Sequence, residues 1–223
     1  MKKVSSILFV FITIIVSFIL FSCCSMNAQW EMTDQWRNEI VGKYPKAVEV
    51  QGIDVIKQDV SCGYAVIEMF SQWTSSQGTG DFITEEMLQK EYGKVVTSTG
   101  KNFSKEMNKR FPHYNTTMYK DLSCEDFIIK AYDSLERGIP VPFEWAAKLN
   151  DEWTLHYSLL IGIDVPNDKI TVLNPYGYKE EITMGEFFKR TSFEAFENMP
   201  FYFSFGFSFG IFEKNALFIV TEK

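Results

Sequence analysis

The apolar positions of this chain recur in two rhythms, and the change between them falls at Gly138. Up to that point the spacing is helical. Met32 to Tyr44 carries Trp36, Ile40, Val41 and Tyr44 at helical spacing, with Thr33 or Asp34 as N-cap. From Cys62 to about Ser75, the residues Cys62, Val66, Met69, Phe70 and Trp73 recur at offsets of 0, 4, 7, 8 and 11, which is one face of a helix. Thr84-Glu85-Glu86 opens a short helix that runs to Tyr92 and stops at Gly93. Ser104 is expected to cap a helix bearing Met107 and Phe111, ended by Pro112. Ser123 with Asp126 forms a capping box for a helix to Arg137, and Gly138 is its C′ residue. Ala47 to Ile56 reads as a strand or extended lead-in. Ser75 to Asp81 and Thr97 to Gly100 read as loops.

Beyond Gly138 the pattern is that of strands. Ile139 to Trp145 is extended, and Pro140 and Pro142 confine it to an edge or a strand start. His156 to Asp164 is a continuous apolar run, read as a buried strand that opens at His156. Asn167-Asp168 marks a hairpin turn, Lys169 to Leu173 returns, and Tyr178 to Ile182 is a further short strand. Thr183 and Glu186 box a helix through Phe187, Phe188 and Arg190. Five phenylalanines from Phe201 to Phe209 then alternate with other residues at a strict period of two. This predicts a strand, closed by a turn at Glu213-Lys214-Asn215 into a final strand from Ala216 to Thr221. We expect this pair as a core hairpin in preference to an exposed aromatic patch for lipid or peptide.

Composition narrows the class. The 223 residues include 21 Phe and carry a formal charge of −7 with no basic patch, which suits a packed domain and speaks against nucleic acid as partner. Met1-Lys2-Lys3 precedes a run from Ile7 to Phe21 that is apolar except for Thr13 and Ser17. That run is shorter than the roughly 20 residues of a spanning helix and fits a signal peptide. It ends Leu20-Phe21-Ser22-Cys23, which resembles a bacterial lipoprotein box with Cys23 as the acylated residue. Cleavage after Ala28 without lipid, or retention as an N-terminal anchor, are the alternatives. All three export the rest of the chain to the cell envelope. Residues 1–23 are thus a signal peptide with lipobox, 24–49 a tether and N-terminal helix, and 50–223 one domain that includes the Phe-rich hairpin.

Two cysteines remain in the body, Cys62 and Cys124, and two histidines, His113 and His156. There is no CxxC and no disulfide framework, so no metal or other cofactor is expected. A Cys62–Cys124 bridge would consume the better nucleophile, and two free thiols are favoured. Each cysteine opens a helix, where unpaired N–H groups and the helix dipole lower a thiol pKa from about 8.5 to roughly 3.5–7.5. Context separates them. Gln58, four residues before Cys62, offers a side-chain N–H beside the sulfur, an oxyanion donor. Cys124 is followed by Glu125 and Asp126, which oppose thiolate formation. A thiol nucleophile also needs a base and an orienter for that base. His156 at a strand start and Asn174 after the return strand lie at comparable distances from the Asn167-Asp168 turn, which favours their adjacency. His113 reads as part of a surface loop.

Gln58-x-x-x-Cys62-Gly63 opening a helix, Gly138-Ile139-Pro140-Val141, His156 to Asp164, and Leu173-Asn174-Pro175-x-Gly177 together resemble papain-fold cysteine peptidases of the bacteriocin-processing, double-glycine-leader type. The resemblance is to the exported peptidase-like relatives that lack a transporter portion, and it covers roughly residues 50–195. It implies an α+β, papain-like fold, with a nucleophile helix packed on a C-terminal antiparallel sheet. It also implies Cys62 as nucleophile, His156 as base, Asn174 as orienter and Gln58 as oxyanion donor, acting on a peptide or protein substrate. Asn174 stands where the family usually has Asp, and Tyr64 where it often has Pro. The expected function is an exported thiol hydrolase of peptide or amide bonds. A transglutaminase-like acyltransferase with the same triad and a non-catalytic binding protein of the same fold are the alternatives.

Overall fold

In the computed structural model, which describes residues 34–93 and 99–223, the elements follow the order that the pattern predicts, with one exception on each side of Gly138. The described residues fall in one compact unit, Met32–Lys223. The signal peptide, the Cys23 lipid site, the tether and the Thr33 cap lie outside the described residues, as does part of the Thr97–Gly100 loop.

Helix α1 (Asp34–Lys43) leads to the short strand β1 (Val48–Glu49). Helix α2 (Cys62–Ser76) follows. It is buried on more than one face: Tyr64, Ala65, Val66, Ile67, Met69, Phe70 and Ser71 are all inaccessible, and Glu68 and Gln72 are half-buried. A helix enclosed in this way is the centre of a core rather than a surface element. Helices α3 (Glu85–Tyr92) and α4 (Gly100–Arg110) come next. The Thr84 hydroxyl caps α3, as expected. Helix α4 starts earlier than expected. Thr99, not Ser104, accepts the capping N–H, from Asn102, while Ser104 lies inside the helix and donates to the Thr116 carbonyl.

The exception before Gly138 is strand β2 (Tyr114–Tyr119). Its Asn and Thr residues carry little apolar signal, yet buried and more open positions alternate along it. Helix α5 (Cys124–Glu136) has the predicted box, with Ser123 accepting from the Asp126 N–H and donating to its carboxylate. Gly138 takes φ +76, the left-handed value expected after a helix end.

Strands β3 (Val141–Leu149), β4 (Glu152–Asp164), β5 (Lys169–Asn174), β6 (Tyr178–Ile182) and β7 (Leu217–Glu222) complete an antiparallel sheet in the order β2-β7-β3-β4-β5-β6, with β1 paired to the far end of β4. β3 is not an edge strand. It tolerates Pro142 because that residue lies at its start, and pairing with β7 comes only at Phe143↔Leu217. β4 begins four residues before His156, so this histidine sits inside a strand, opposite Trp145. Helix α2 packs on β4. Tyr157 of β4 stacks on Phe103 at 4.7 Å and contacts Phe218 of β7, joining helical and sheet layers. Each fully buried aromatic contributes about 1.5–3 kcal/mol. Helix α6 (Met184–Thr191) is capped by Thr183 as predicted.

The exception after Gly138 is the Phe-rich segment. The expected strand and its hairpin with the final strand are absent. Phe201–Ser208 is a helix, α7, and β7 pairs with β2 and β3 instead. An alternating row contains i,i+4 pairs as well as i,i+2 pairs, so period two did not exclude a helix. Packing selects the helical reading. Phe203 and Phe207 lie on a satellite cluster of Ala146, Phe193 and Phe196. Gly206 is pressed so closely by the Phe212 ring that no Cβ fits there. Phe201, Tyr202, Phe205 and Phe209 are left exposed.

Candidate active site

Four separate segments meet at one cleft of about 720 Å³. Gln58 and Cys62 come from the approach to α2, His156 from β4 and Tyr176 from the turn after β5, with Trp153, Tyr202 and Phe203 along the far wall. The backbone of Gln58 is tied to that turn, its N–H donating to the Pro175 carbonyl at 2.7 Å. Gly177 permits the approach. It has φ +99, and any side chain there would press on the stem of Lys57.

Asn174 is fully buried, and its amide is oriented by its partners. Its Oδ1 accepts the Tyr176 N–H at 2.9 Å and lies 3.0 Å from His156 Nε2. Its Nδ2 donates to Tyr178 Oη and to Glu180 Oε2, both at 3.4 Å. With a carbonyl oxygen facing it, Nε2 must carry the proton, so in the neutral ring Nδ1 is the acceptor. The Tyr176 ring stacks on the imidazole at 4.1 Å, fixing its plane. Behind Glu180 stands Arg190, which donates to it at 3.3 Å, donates to the Ala146 carbonyl, and lies over the Trp145 ring.

The electrostatics differ from the sequence expectation. Burial pushes the Cys62 thiol up to about 11, against the backbone N–H groups of Tyr157, Gly63 and Cys62 itself, and the Glu144 charge adds to the rise. Burial pushes His156 down to about 3. The Asn174 bond opposes that, and the Arg190 charge adds to it. The helix start does not win over desolvation, so the resting pair is thiol and neutral imidazole rather than an ion pair. Glu144, opposite Tyr157, is buried with both carboxylate oxygens unpartnered, and burial raises its pKa to about 8.

The structure thus brings Gln58, Cys62, His156 and Asn174 together. Gln58 Oε1 is buried without a partner. Cys124 is also a free thiol but does not line the cleft, and burial with the Glu194 charge raises it to about 12. His113 is exposed at the start of β2, as expected of a loop residue. Sequence reasoning missed Tyr176, Glu180, Arg190 and Glu144. A signal existed for Glu144, a lone acid in the apolar run Val141 to Ala147, and for Tyr176, the variable position of Asn-Pro-x-Gly. Nothing local marks Glu180 or Arg190.

A family model described as "Peptidase_C39 like family" matches residues 47–202. That span holds all four site residues and stops at the second residue of α7. A double glycine motif protease from an AMS/PCAT transporter, solved in complex with the leader peptide, is similar at 14% identity and TM-score 0.48, over 79% of this chain and 95% of that one. UfSP from C. elegans is similar at 10% identity and TM-score 0.47, over 84% of this chain and 37% of that one. No curated protein matches the chain by sequence.

Proposed function

The chain belongs to the Peptidase_C39 like family, and from that membership we propose that it is a thiol hydrolase cutting a peptide or amide bond through a Cys62–His156–Asn174 triad. The observation that carries this reading is the 3.0 Å His156–Asn174 contact at a cleft shared by Gln58 and Cys62. As the sulfur attacks the carbonyl carbon, the Cys62 S–H proton passes to His156 Nδ1. An S–C bond forms, the carbonyl π pair moves to oxygen, and the Gln58 amide and the N–H groups at the start of α2 receive that oxyanion. Asn174 holds the imidazole through Nε2–H while it is charged. Collapse breaks the C–N bond, and the amine leaves with the proton from His156. Water then gives a proton to His156, its oxygen attacks the thioester, and the acid departs as Cys62 regains its proton.

Because both groups rest neutral, His156 acts as a base in the transition state rather than storing an ion pair beforehand. The proposed setting is outside the cytoplasm, with Cys23 as lipid site. Mass spectrometry of the mature protein after treatment with a thiol-directed peptide probe tests the whole reading. The expected result is a lipidated N-terminus at Cys23 and label on Cys62. Label on Cys124 alone overturns the site. The raised Cys62 pKa favours a second reading, a binding protein that keeps the fold without turnover. Failure of the probe to label Cys62 even at pH 9 would decide for it.

A further inference from the structure

The approach to Cys62 is gripped by a residue that the triad does not include. Glu85, the first residue of α3, is only 6% exposed. Its Oε2 accepts the Asp59 N–H at 2.8 Å, and its Oε1 accepts the Val60 N–H at 2.8 Å and the Ser61 N–H at 2.6 Å. One carboxylate thus takes three consecutive backbone donors in the segment between Gln58 and Cys62. Glu85 is itself fixed to α2. Its own N–H donates to Glu68 Oε2 at 2.6 Å. Two residues earlier, Ile83 exchanges hydrogen bonds with the buried Ser71 hydroxyl in both directions. The result is a closed ring: α2, the start of α3, the Glu85 carboxylate, residues 59–61, and back to Cys62. On the opposite side, the Gln58 N–H is held by Pro175. Every backbone N–H from 58 to 61 is therefore committed, and the two oxygens of Glu85 accept three of the four bonds.

We propose that Glu85 is the positioning residue of the oxyanion wall, fixing the distance between the Gln58 amide and the Cys62 sulfur. The inference rests on the peptidase reading. A carboxylate is needed because both oxygens must accept. Glutamine would turn an N–H toward one of the backbone donors and spring that part of the segment, while leaving Cys62 at the start of its helix.

Two reagents separate this role from a general contribution to folding. Iodoacetamide, followed at Cys62 by peptide mapping, reports the thiol without the oxyanion donors, whereas a short peptide aldehyde forms a hemithioacetal whose oxygen needs them. Glu85→Gln is expected to leave iodoacetamide labelling of Cys62 within about twofold and to weaken aldehyde inhibition by about tenfold or more, matching Gln58→Ala. Equal loss with both reagents, or loss with neither, overturns the proposal. In the unmodified protein, the amides of residues 59–61 are expected to exchange with solvent at least about 100-fold more slowly than the same sequence does in an unprotected peptide, whatever the variant's stability. Exchange at the unprotected rate also overturns it. A wild-type protein whose Cys62 reacts with iodoacetamide but binds no aldehyde ends the hydrolase reading, and the assignment falls with it.

Discussion

Cys62 and Cys124 begin from the same local circumstances and end in different ones. Each opens a helix, each is half-buried, each is free, and burial raises each thiol, to about 11 and about 12. The helix start therefore decides nothing by itself. What differs is what the rest of the fold presents to the sulfur. The backbone N–H of Tyr157 bears on the Cys62 thiol, and an imidazole from β4 and the side chain of Gln58 line the same cleft. Around Cys124 the charge that bears on the thiol is that of Glu194. A nucleophile is made here by tertiary neighbours, and a dipole argument finds candidates without ranking them.

The comparison breaks most readily by deletion. Cys62→Ala or His156→Ala is expected to lower peptide turnover by roughly 1,000-fold or more, and Cys124→Ser to leave it within about twofold, measured as steady-state hydrolysis. A large loss in Cys124→Ser would erase the distinction. Asn174→Ala frees the imidazole to rotate and removes the acceptor at Nε2. A fall of about 100-fold in kcat is expected, and an unchanged kcat would remove Asn174 from the machinery.

The Cys62 neighbourhood also holds two buried ionisable groups, and these set a stability profile. The fold keeps His156 neutral down to about pH 3, whereas its ordinary value is 6.5. Between those values the unfolded chain binds the extra proton, so stability rises with pH. The fold keeps Glu144 protonated up to about pH 8, whereas its ordinary value is 4.5. Between those values the folded chain holds the extra proton, so stability falls as pH rises. The two slopes cancel from 4.5 to 6.5 and leave a fall of about 2 kcal/mol between pH 6.5 and 8. Glu144→Gln is expected to remove that fall in denaturant melts. A slope that persists in the variant would acquit Glu144.

The smallest effect sharpens the comparison directly. Alkylation of Cys62 is expected to climb with pH toward about 11. At pH 9 it should outpace Cys124 by about tenfold on thiolate fraction alone, read by peptide mapping. A plateau below pH 7 would mean that the resting site stores a thiolate after all.

Much of this architecture is legible in the sequence, for identifiable reasons. Ser123, Thr84 and Thr183 cap where expected because a cap is a short-range bond between a hydroxyl and an N–H three residues on. His156 and Asn174 meet because the hairpin folds β5 back along β4 as far as Leu159↔Leu173, and the two side chains then touch diagonally just beyond that pair; the register shift between Leu160 and Gly162 is not visible in the sequence. The Phe201–Phe209 segment was misread because its spacing fits two periods and packing chose between them. The thiolate expectation for Cys62 failed because desolvation depends on what surrounds the residue, which no local window contains. Glu85 read as an ordinary first-turn carboxylate, since its three partners lie about 25 residues upstream.

The place of β7 carries a consequence for how the protein is made. It follows every other described element in the chain, yet it lies inside the sheet, bonded to β2 on one side and β3 on the other. Until residues 217–222 have left the ribosome, β2 has no partner strand, and the aromatic layer around Phe103 and Tyr157 lacks Phe218. A nascent chain that has already built both halves of the cleft must wait for β7 to close the gap. That interval, with two sheet edges open, is when a holding chaperone has the most to grip.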